Sequence, residues 1–234
     1  MADAFDRRAF FRRLAPVLPA ALAACGWDGG PRLQPVLDQV IGFNNHLGEK
    51  LLQVRGATVP PHQVITGKMP SYFISDAMPV LDNPASWRLE VGGLVRTPTS
   101  FTSEMIAALP HIDYSVEHHC VEGWSSVAAW RGVPFALVAD LVKPLPAAQY
   151  VKFESFDNGY MNGWDIASAM HPQTILADGF GGRPIAPDHG APLRLYSPIK
   201  LGYKLTKYLT RVTFTADKPG GYWEDQGYPW FGGL

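Results

Sequence analysis

Six short segments of this chain carry the residue pattern of β-strands, and nothing between them repeats with the rhythm of a parallel α/β fold. WRLEVGG (87–93), YSVEHHC (114–120) and YVKFESF (150–156) alternate apolar and polar side chains, which predicts one buried face for each. TILADGF (174–180), APLRLYS (191–197) and YLTRVTFTA (208–216) complete the set. The helical patterns are mostly short. One covers 103–109 behind a capping Thr102 or Ser103, one covers 134–142 with Pro134 in its first turn, and one covers 165–170 just before His171-Pro172. The longest, 36–54, has Leu37, Val40, Ile41, Leu47, Leu51 and Leu52 as its apolar positions, with a break expected at Gly42 or Asn44-Asn45. Residues 55–86 are turn-rich, with Pro60, Pro61, Pro70, Pro79 and Pro84. Strands mixed irregularly with short helices predict a single α+β domain with mixed β-sheets.

A chain of 234 residues is long enough to bury most of its apolar surface without disulfide staples. Its formal net charge of −1 gives no electrostatic footprint for nucleic acid, so no nucleic-acid partner is expected.

The first thirty residues, MADAFDRRAFFRRLAPVLPAALAACGWDGG, have the order of an export signal. Arg7 and Arg8 precede Phe10 and Phe11 in a twin-arginine pattern, and a short apolar stretch, Leu14 to Ala24, follows. That stretch is too short to span a bilayer as a helix. It ends in Leu22-Ala23-Ala24-Cys25, which resembles a bacterial lipobox. The expected organisation is a signal over 1–25, a Gly/Pro-rich tether over 26–34 and the folded domain over 35–234. The expected location is periplasmic, by the twin-arginine route, with Cys25 lipidated as a membrane anchor. The competing reading is an ordinary N-terminal helix with a chance cysteine.

If Cys25 carries lipid, Cys120 has no disulfide partner among the chain's two cysteines. A free thiol in an oxidising compartment calls for burial or ligation. Taken alone, a lone cysteine is more often a small apolar core residue. Its setting, EHHCVEGWS (117–125), is polar, and a soft thiolate suits a soft metal centre. Zinc and a Cys/His nucleophilic pair are the other chemistries that His118 and His119 suggest. Adjacent strand residues face opposite ways, and no CxxC or HxxxH supplies further zinc ligands. A second constellation, DHGAPLRLYSPIKLGYKLTK (188–207), gathers His189, Arg194, Lys200, Lys204 and Lys207 among Gly190, Gly202, Ser197 and Thr206. Cations, hydroxyls and glycines in that mixture suit a phosphate or pyrophosphate. The plain alternative is a solvated basic face. No Walker loop and no GxGxxG following a strand is present.

Both constellations together resemble the molybdopterin-binding oxidoreductase domain of the sulfite oxidase superfamily. SWRLEVGGLVRTP, EHHCVEGWSSVAAWRGVPFALVADL, HPQTILADGFGGRPIAPDHGAPLRLYSPIKLGYKLTKYLTRVTFT and GGYWEDQGY carry the likeness in the family's order. FNNHLGE (43–49) is similar to a cofactor-contacting Asn-Asn segment of the periplasmic methionine-sulfoxide reductase catalytic subunits. The resemblance implies mononuclear molybdenum on a single molybdopterin, with Cys120 as the protein's thiolate ligand. It implies pterin contacts from Asn44, Ser155, His189, Arg194, Leu205, Thr206 and Lys207, with Arg194 and the lysines, Lys204 included, towards the phosphate. Leu47 and Gly48 would lend backbone groups. Tyr160, in FDNGYMNGW, stands where a hydroxyl could donate a hydrogen bond in the site, with Asp157 and Asn158 as lesser candidates. The implied reaction is two-electron oxygen-atom transfer on a small sulfur-containing, sulfoxide or N-oxide substrate. Electrons would pass to or from a separate b-type membrane cytochrome or a cytochrome c, since the chain has no haem motif.

The departures narrow this reading. The arginines that flank the ligand cysteine in vertebrate-type sulfite oxidases are replaced by His118-His119-Cys120-Val121-Glu122, which disfavours an anionic substrate. His118 or His119 is expected to line the mouth and titrate near neutral pH. No immunoglobulin-like dimerisation segment is recognisable, which points to the minimal, monomeric bacterial branch. The alternative from another class is a non-catalytic periplasmic lipoprotein that keeps the fold as a binding module.

Overall fold

The computed structural model describes residues 34–51, 58 and 69–233. The expected signal with Cys25, and all of the tether but its last residue, lie outside the described residues. The chain divides into one compact unit ending at Asn44 and a second beginning at Asn45. Helix α1 (Gln34–Leu51) does not break at Gly42 or at Asn44-Asn45. A lone glycine costs a helix only about 1 kcal/mol relative to alanine, and no proline interrupts the run. Val36, Val40, Phe43 and Leu47 recur at helical spacing on α1, and all are exposed. Among the described residues, no helix is long and apolar enough to cross a membrane.

Two mixed-connectivity sheets make up most of the second unit. The first has the order β2 (Thr99–Thr102), β1 (Arg88–Gly93), β10 (Leu209–Thr215), β5 (Tyr150–Ser155) and β6 (Met161–Asp165). Only the β1–β10 pair is parallel, with Val91 opposite Val212. The second sheet runs β3 (Ile112–His119), β4 (Ser125–Pro134), β7 (Ile175–Phe180) and β8 (Arg183–Pro184), with β9 (Arg194–Tyr196) also paired to β7. The alternation read from the sequence sets the buried faces. In β1, Leu89 and Val91 are buried while Arg88 and Glu90 are exposed.

Short helices close the ends of strands. In α2 (Ser103–Ala107), Thr102 caps the first turn by accepting from the Met105 amide at 3.2 Å. Asp165 caps α4 (Ile166–Ala169) in the same way, accepting from the Ser168 amide at 2.7 Å. Helix α3 (Phe135–Val142) buries Phe135, Val138, Ala139 and Val142. Phe135 meets Phe153 of β5 edge-on at 5.3 Å and stacks with Phe214 of β10 at 6.0 Å. Its truncation to alanine would cost about 3–5 kcal/mol by the usual cavity cost of a buried Phe.

Four strands escape the sequence pattern: β2, β4, β6 and the two-residue β8. β4 is the central partner of β3 and β7, so its segment, SSVAAWRGVP, is held by hydrogen bonds on both edges and needs little intrinsic strand preference. β2 and β6 are carried likewise by their hairpin partners β1 and β5. The consequence for the site is a convergence. The β3–β4 turn, the β5–β6 hairpin and the irregular chain between β7 and β10 border one cavity.

Candidate active site

Cys120 stands immediately after β3, in the turn that leads to β4. Its amide donates to the Trp124 carbonyl at 3.0 Å, and the Gly123 amide donates to the Cys120 carbonyl at 3.1 Å. Gly123 has φ +86°, which glycine adopts without strain, so the turn closes tightly enough to fix the cysteine backbone. The Cys120 side chain faces a cavity of about 390 Å³. Burial is the chief cause holding its thiol above the ordinary range, and the Glu122 charge adds to it. No hydrogen bond joins Cys120 to a histidine among the described residues, so the activated Cys/His pair of a thiol hydrolase is not assembled.

The same cavity also has cationic lining. Arg194, at the start of β9, is 5% exposed. Its guanidinium donates to the His189 carbonyl at 2.9 Å and the Leu205 carbonyl at 3.3 Å, and lies 5.0 Å from the centre of the Trp130 ring. Lys207 donates to the Ser71 hydroxyl and the Asp188 carbonyl, each at 3.1 Å. Burial first, then the Arg194 charge, lower the Lys207 ammonium to about 7, although Asp157 and Asp188 oppose the shift. Burial lowers Arg194 to about 10. Among the described residues neither cation is in an ion pair. Arg194 is buried and Lys207 half-buried, and a desolvated cation without an anion is unfavourable, so the two in one cavity wall mark a place for a bound anion.

His189, Ser155 and Leu205 line the same cavity. The His189 ring packs on Phe180 at 4.3 Å, and burial lowers its pKa. Ser155 accepts from the Asp157 amide at 2.9 Å. Tyr160 also lines the cavity, but its hydroxyl donates to the Tyr203 carbonyl at 2.6 Å, and burial pushes its pKa up. The donation into the site expected of Tyr160 is therefore already committed elsewhere. Asp157 is a buried anchor. It accepts from the Ile74 and Ser75 amides at 2.9 and 3.0 Å, and so ties down the segment that carries Tyr72 and Phe73. Asn158 is exposed at φ +39° in the β5–β6 turn.

Apart from His118, which lines the cavity, the remaining sequence candidates lie away from this wall. Lys204 is turned into a buried ion pair with Glu224 and also donates to the Gly163 and Trp230 carbonyls, at 2.8 and 2.6 Å. Its ammonium does not reach the cavity because Glu224 and those carbonyls satisfy it within the protein. Lys200 likewise donates to the Phe231 carbonyl at 2.7 Å. Thr206 is fully buried, 3.4 Å from the Asn162 amide nitrogen that donates to it. Leu47 is exposed, and Gly48 packs so closely on Phe231 that a Cβ would come within 2.8 Å of the ring. Asn44 belongs to the first unit, and its side chain lies outside the described residues. His118 is buried and held neutral. Burial, then Arg194 and His119, depress its pKa to about 3, so it does not titrate near neutrality.

Sequence reasoning gave no role to Tyr72, Phe73, Trp124, Trp223 and Tyr228, which form the aromatic border of the cavity. The signal for the first two was a pair of aromatics inside a proline-rich loop, where no core strand or helix would account for them.

A family model described as oxidoreductase molybdopterin binding domain matches residues 75–223, which takes in Cys120, Arg194 and Lys207. The chain belongs to that family. It is thus a molybdopterin-binding oxidoreductase domain of the sulfite oxidase superfamily, as the two sequence constellations implied. It is 38% identical over 231 residues to an Azospira oryzae protein, YedZ1, whose name provisionally makes it a protein-methionine-sulfoxide reductase subunit. That match covers 97% of this chain and 87% of the relative. The Campylobacter jejuni protein-methionine-sulfoxide reductase catalytic subunit MsrP is 30% identical over 61% of this chain and 53% of its own length. The uncharacterized oxidoreductase YuiH of Bacillus subtilis is 29% identical over 79% of this chain and 96% of its own. The sulfane dehydrogenase SoxCD of Paracoccus pantotrophus shares the fold, with a TM-score of 0.56 at 20% identity, over 59% of this chain and 40% of that one. The residues present fit a molybdenum–pterin group. One thiol and two cations outside any ion pair line a single cavity.

Proposed function

We propose that this chain is the catalytic subunit of a periplasmic molybdoenzyme that transfers an oxygen atom to or from a small neutral sulfur compound. The cofactor is one molybdenum on a single molybdopterin, and when bound it supplies the two-electron chemistry. Cys120 Sγ is the protein ligand to the metal, and ligation holds it as the thiolate that burial alone disfavours. Arg194 and Lys207 take the phosphate of the pterin, with His189, Ser155 and Leu205 along its length.

One observation carries the reading. The lone thiol and two cations outside any ion pair line one cavity. The acidic mouth supports a neutral substrate. Glu122 hydrogen-bonds to Tyr72 and to Trp124, the indole N–H donating at 3.1 Å, so its charge stands beside Cys120. The names of two relatives favour sulfoxide reduction as the direction. A separate haem protein exchanges the electrons, and the twin-arginine pattern with Cys25 directs folded, cofactor-loaded protein to the outer face of the inner membrane.

The deciding measurement is molybdenum by mass spectrometry in folded protein from a molybdopterin-competent host, beside Cys120→Ala. About one metal per chain, with altered optical bands in the variant, supports a Cys120-ligated centre. Well-folded wild type without molybdenum would sink it. Reduction of methionine sulfoxide, dimethyl sulfoxide and trimethylamine N-oxide with a viologen donor then settles the substrate class.

A further inference from the structure

His118 lies on the buried side of β3, two residues before Cys120, and both side chains line the cavity. The imidazole is 5% exposed. It packs between Trp124 and Tyr196, with ring centres 5.6 and 5.9 Å away. Gly202 borders it on the cavity side. A Cβ at that position would stand 3.3 Å from Nε2 and 3.5 Å from Cε1, so the glycine leaves the nitrogen room. Neither ring nitrogen of His118 has a hydrogen-bond partner among the described residues.

His111 shows how this fold otherwise treats a buried imidazole. Its Nδ1 lies 2.7 Å from the Leu109 carbonyl and its Nε2 2.8 Å from Asp178, so both nitrogens are paired within the protein. Neither His118 nitrogen is paired in that way, and neither is sealed in the core as an unpartnered atom. His118 is held in one orientation by two aromatic rings, yet its polar atoms are left for something that enters the cavity. Arg194 and Lys207 already supply the charge there. What His118 adds is a neutral group that carries one hydrogen-bond donor and one acceptor.

We propose that His118 is a further cofactor-binding residue, whose imidazole hydrogen-bonds to the molybdopterin seated against Cys120. A pterin edge presents both N–H donors and oxygen or nitrogen acceptors, so either imidazole tautomer finds a partner. The Trp124 and Tyr196 rings and Gly202 are the means by which the fold aims the imidazole. This inference rests on the molybdopterin reading of the cavity.

The test compares wild type, His118→Phe, His118→Gln and His119→Gln, all made in a molybdopterin-competent host. Molybdenum and pterin per folded chain are measured after gel filtration, together with the thiolate-to-metal optical band. Wild type and His119→Gln are expected near one cofactor per chain. His118→Phe keeps the aromatic packing and melts no lower than wild type when cofactor-free, yet retains about fivefold less cofactor, the effect of one lost hydrogen bond. His118→Gln, which keeps a donor and an acceptor, recovers most of the loss with a displaced band. Full retention with an unmoved band in His118→Phe overturns the proposal while leaving the molybdopterin reading intact. Absence of cofactor from wild type overturns both. Should His118→Phe not fold, ¹⁵N-histidine spectra of wild type decide. A His118 ring resonance that shifts on loading supports the contact, and one that does not move overturns it.

Discussion

Lys204 and Glu224 form an ion pair in which both side chains are almost wholly buried, at 0% and 3% exposure. The pair joins the chain before β10 to the C-terminal segment that carries Trp223 and Tyr228 to the cavity border. Three residues further on, Lys207 points into the cavity with no anion. A run of lysines that looks uniform in sequence is thus split between a buried ion pair and the cavity wall.

Removing one member of the Lys204–Glu224 pair leaves an uncompensated buried charge. Lys204→Met is expected to destabilise the protein by about 3–5 kcal/mol. Adding Glu224→Leu should return much of that, because an apolar pair of similar volume avoids the desolvation cost. Chemical denaturation of the two single variants and the double variant measures this. Equal stability of Lys204→Met and wild type would show that the pair is not buried in solution.

Lys207 makes anion binding depend on pH. Its ordinary value is 10.5, and burial followed by the Arg194 charge brings it to about 7 in the empty site. A bound dianion raises it again. Above pH 7 the complex therefore holds a proton that the empty protein has lost, and binding takes one up. Sulfate affinity for cofactor-free protein should be flat below pH 7 and fall above it, approaching about tenfold per pH unit. The same lowering means that the unfolded chain binds the extra proton between pH 7 and 10.5, so cofactor-free stability rises with pH across that window. Calorimetric titration in two buffers of different ionisation enthalpy reads the proton directly, and Lys207→Met should abolish the uptake.

The strands and the cation cluster were legible because each shows itself locally, by alternation or by charge. What the cations face was not. Lys204 and Lys207 lie three residues apart in a stretch with a short 3₁₀ turn at Gly202–Lys204, so their directions are set by which partners fold over them. Glu224 and Trp230, far along the chain, claim Lys204. β4 was hidden for a related reason, since its strand state comes from two neighbours rather than from its own residues. The α1 break failed in the other direction. Gly42 and Asn44-Asn45 are local helix breakers, and continuous helical hydrogen bonding outweighs them.

Glu122 is expected to discriminate against anions. Its carboxylate is held by Tyr72 and Trp124 at the mouth beside Cys120. The Glu122→Gln variant keeps an acceptor for both donors and removes the charge. Sulfite inhibition should strengthen about two- to fivefold relative to wild type, and the difference should shrink as salt rises, because an exposed charge is screened. Turnover of dimethyl sulfoxide should change less than sulfite inhibition. An unchanged sulfite-to-sulfoxide ratio would remove Glu122 from the selection of substrate.

The Cys120 thiol supplies the last prediction. Burial, with the Glu122 charge behind it, holds its pKa above the ordinary cysteine value, so the cofactor-free protein carries little thiolate at neutral pH. Iodoacetamide should alkylate it more slowly at pH 7.5 than it alkylates an unfolded control, and faster as pH rises through 9 and above. A metal-bound thiolate has given up electron density to the metal and is a weaker nucleophile, so loaded protein should resist alkylation across the same range. Mass spectrometry of the peptide that contains Cys120 follows both reactions. Rapid alkylation of the loaded protein at neutral pH would mean that Cys120 is not the metal's ligand.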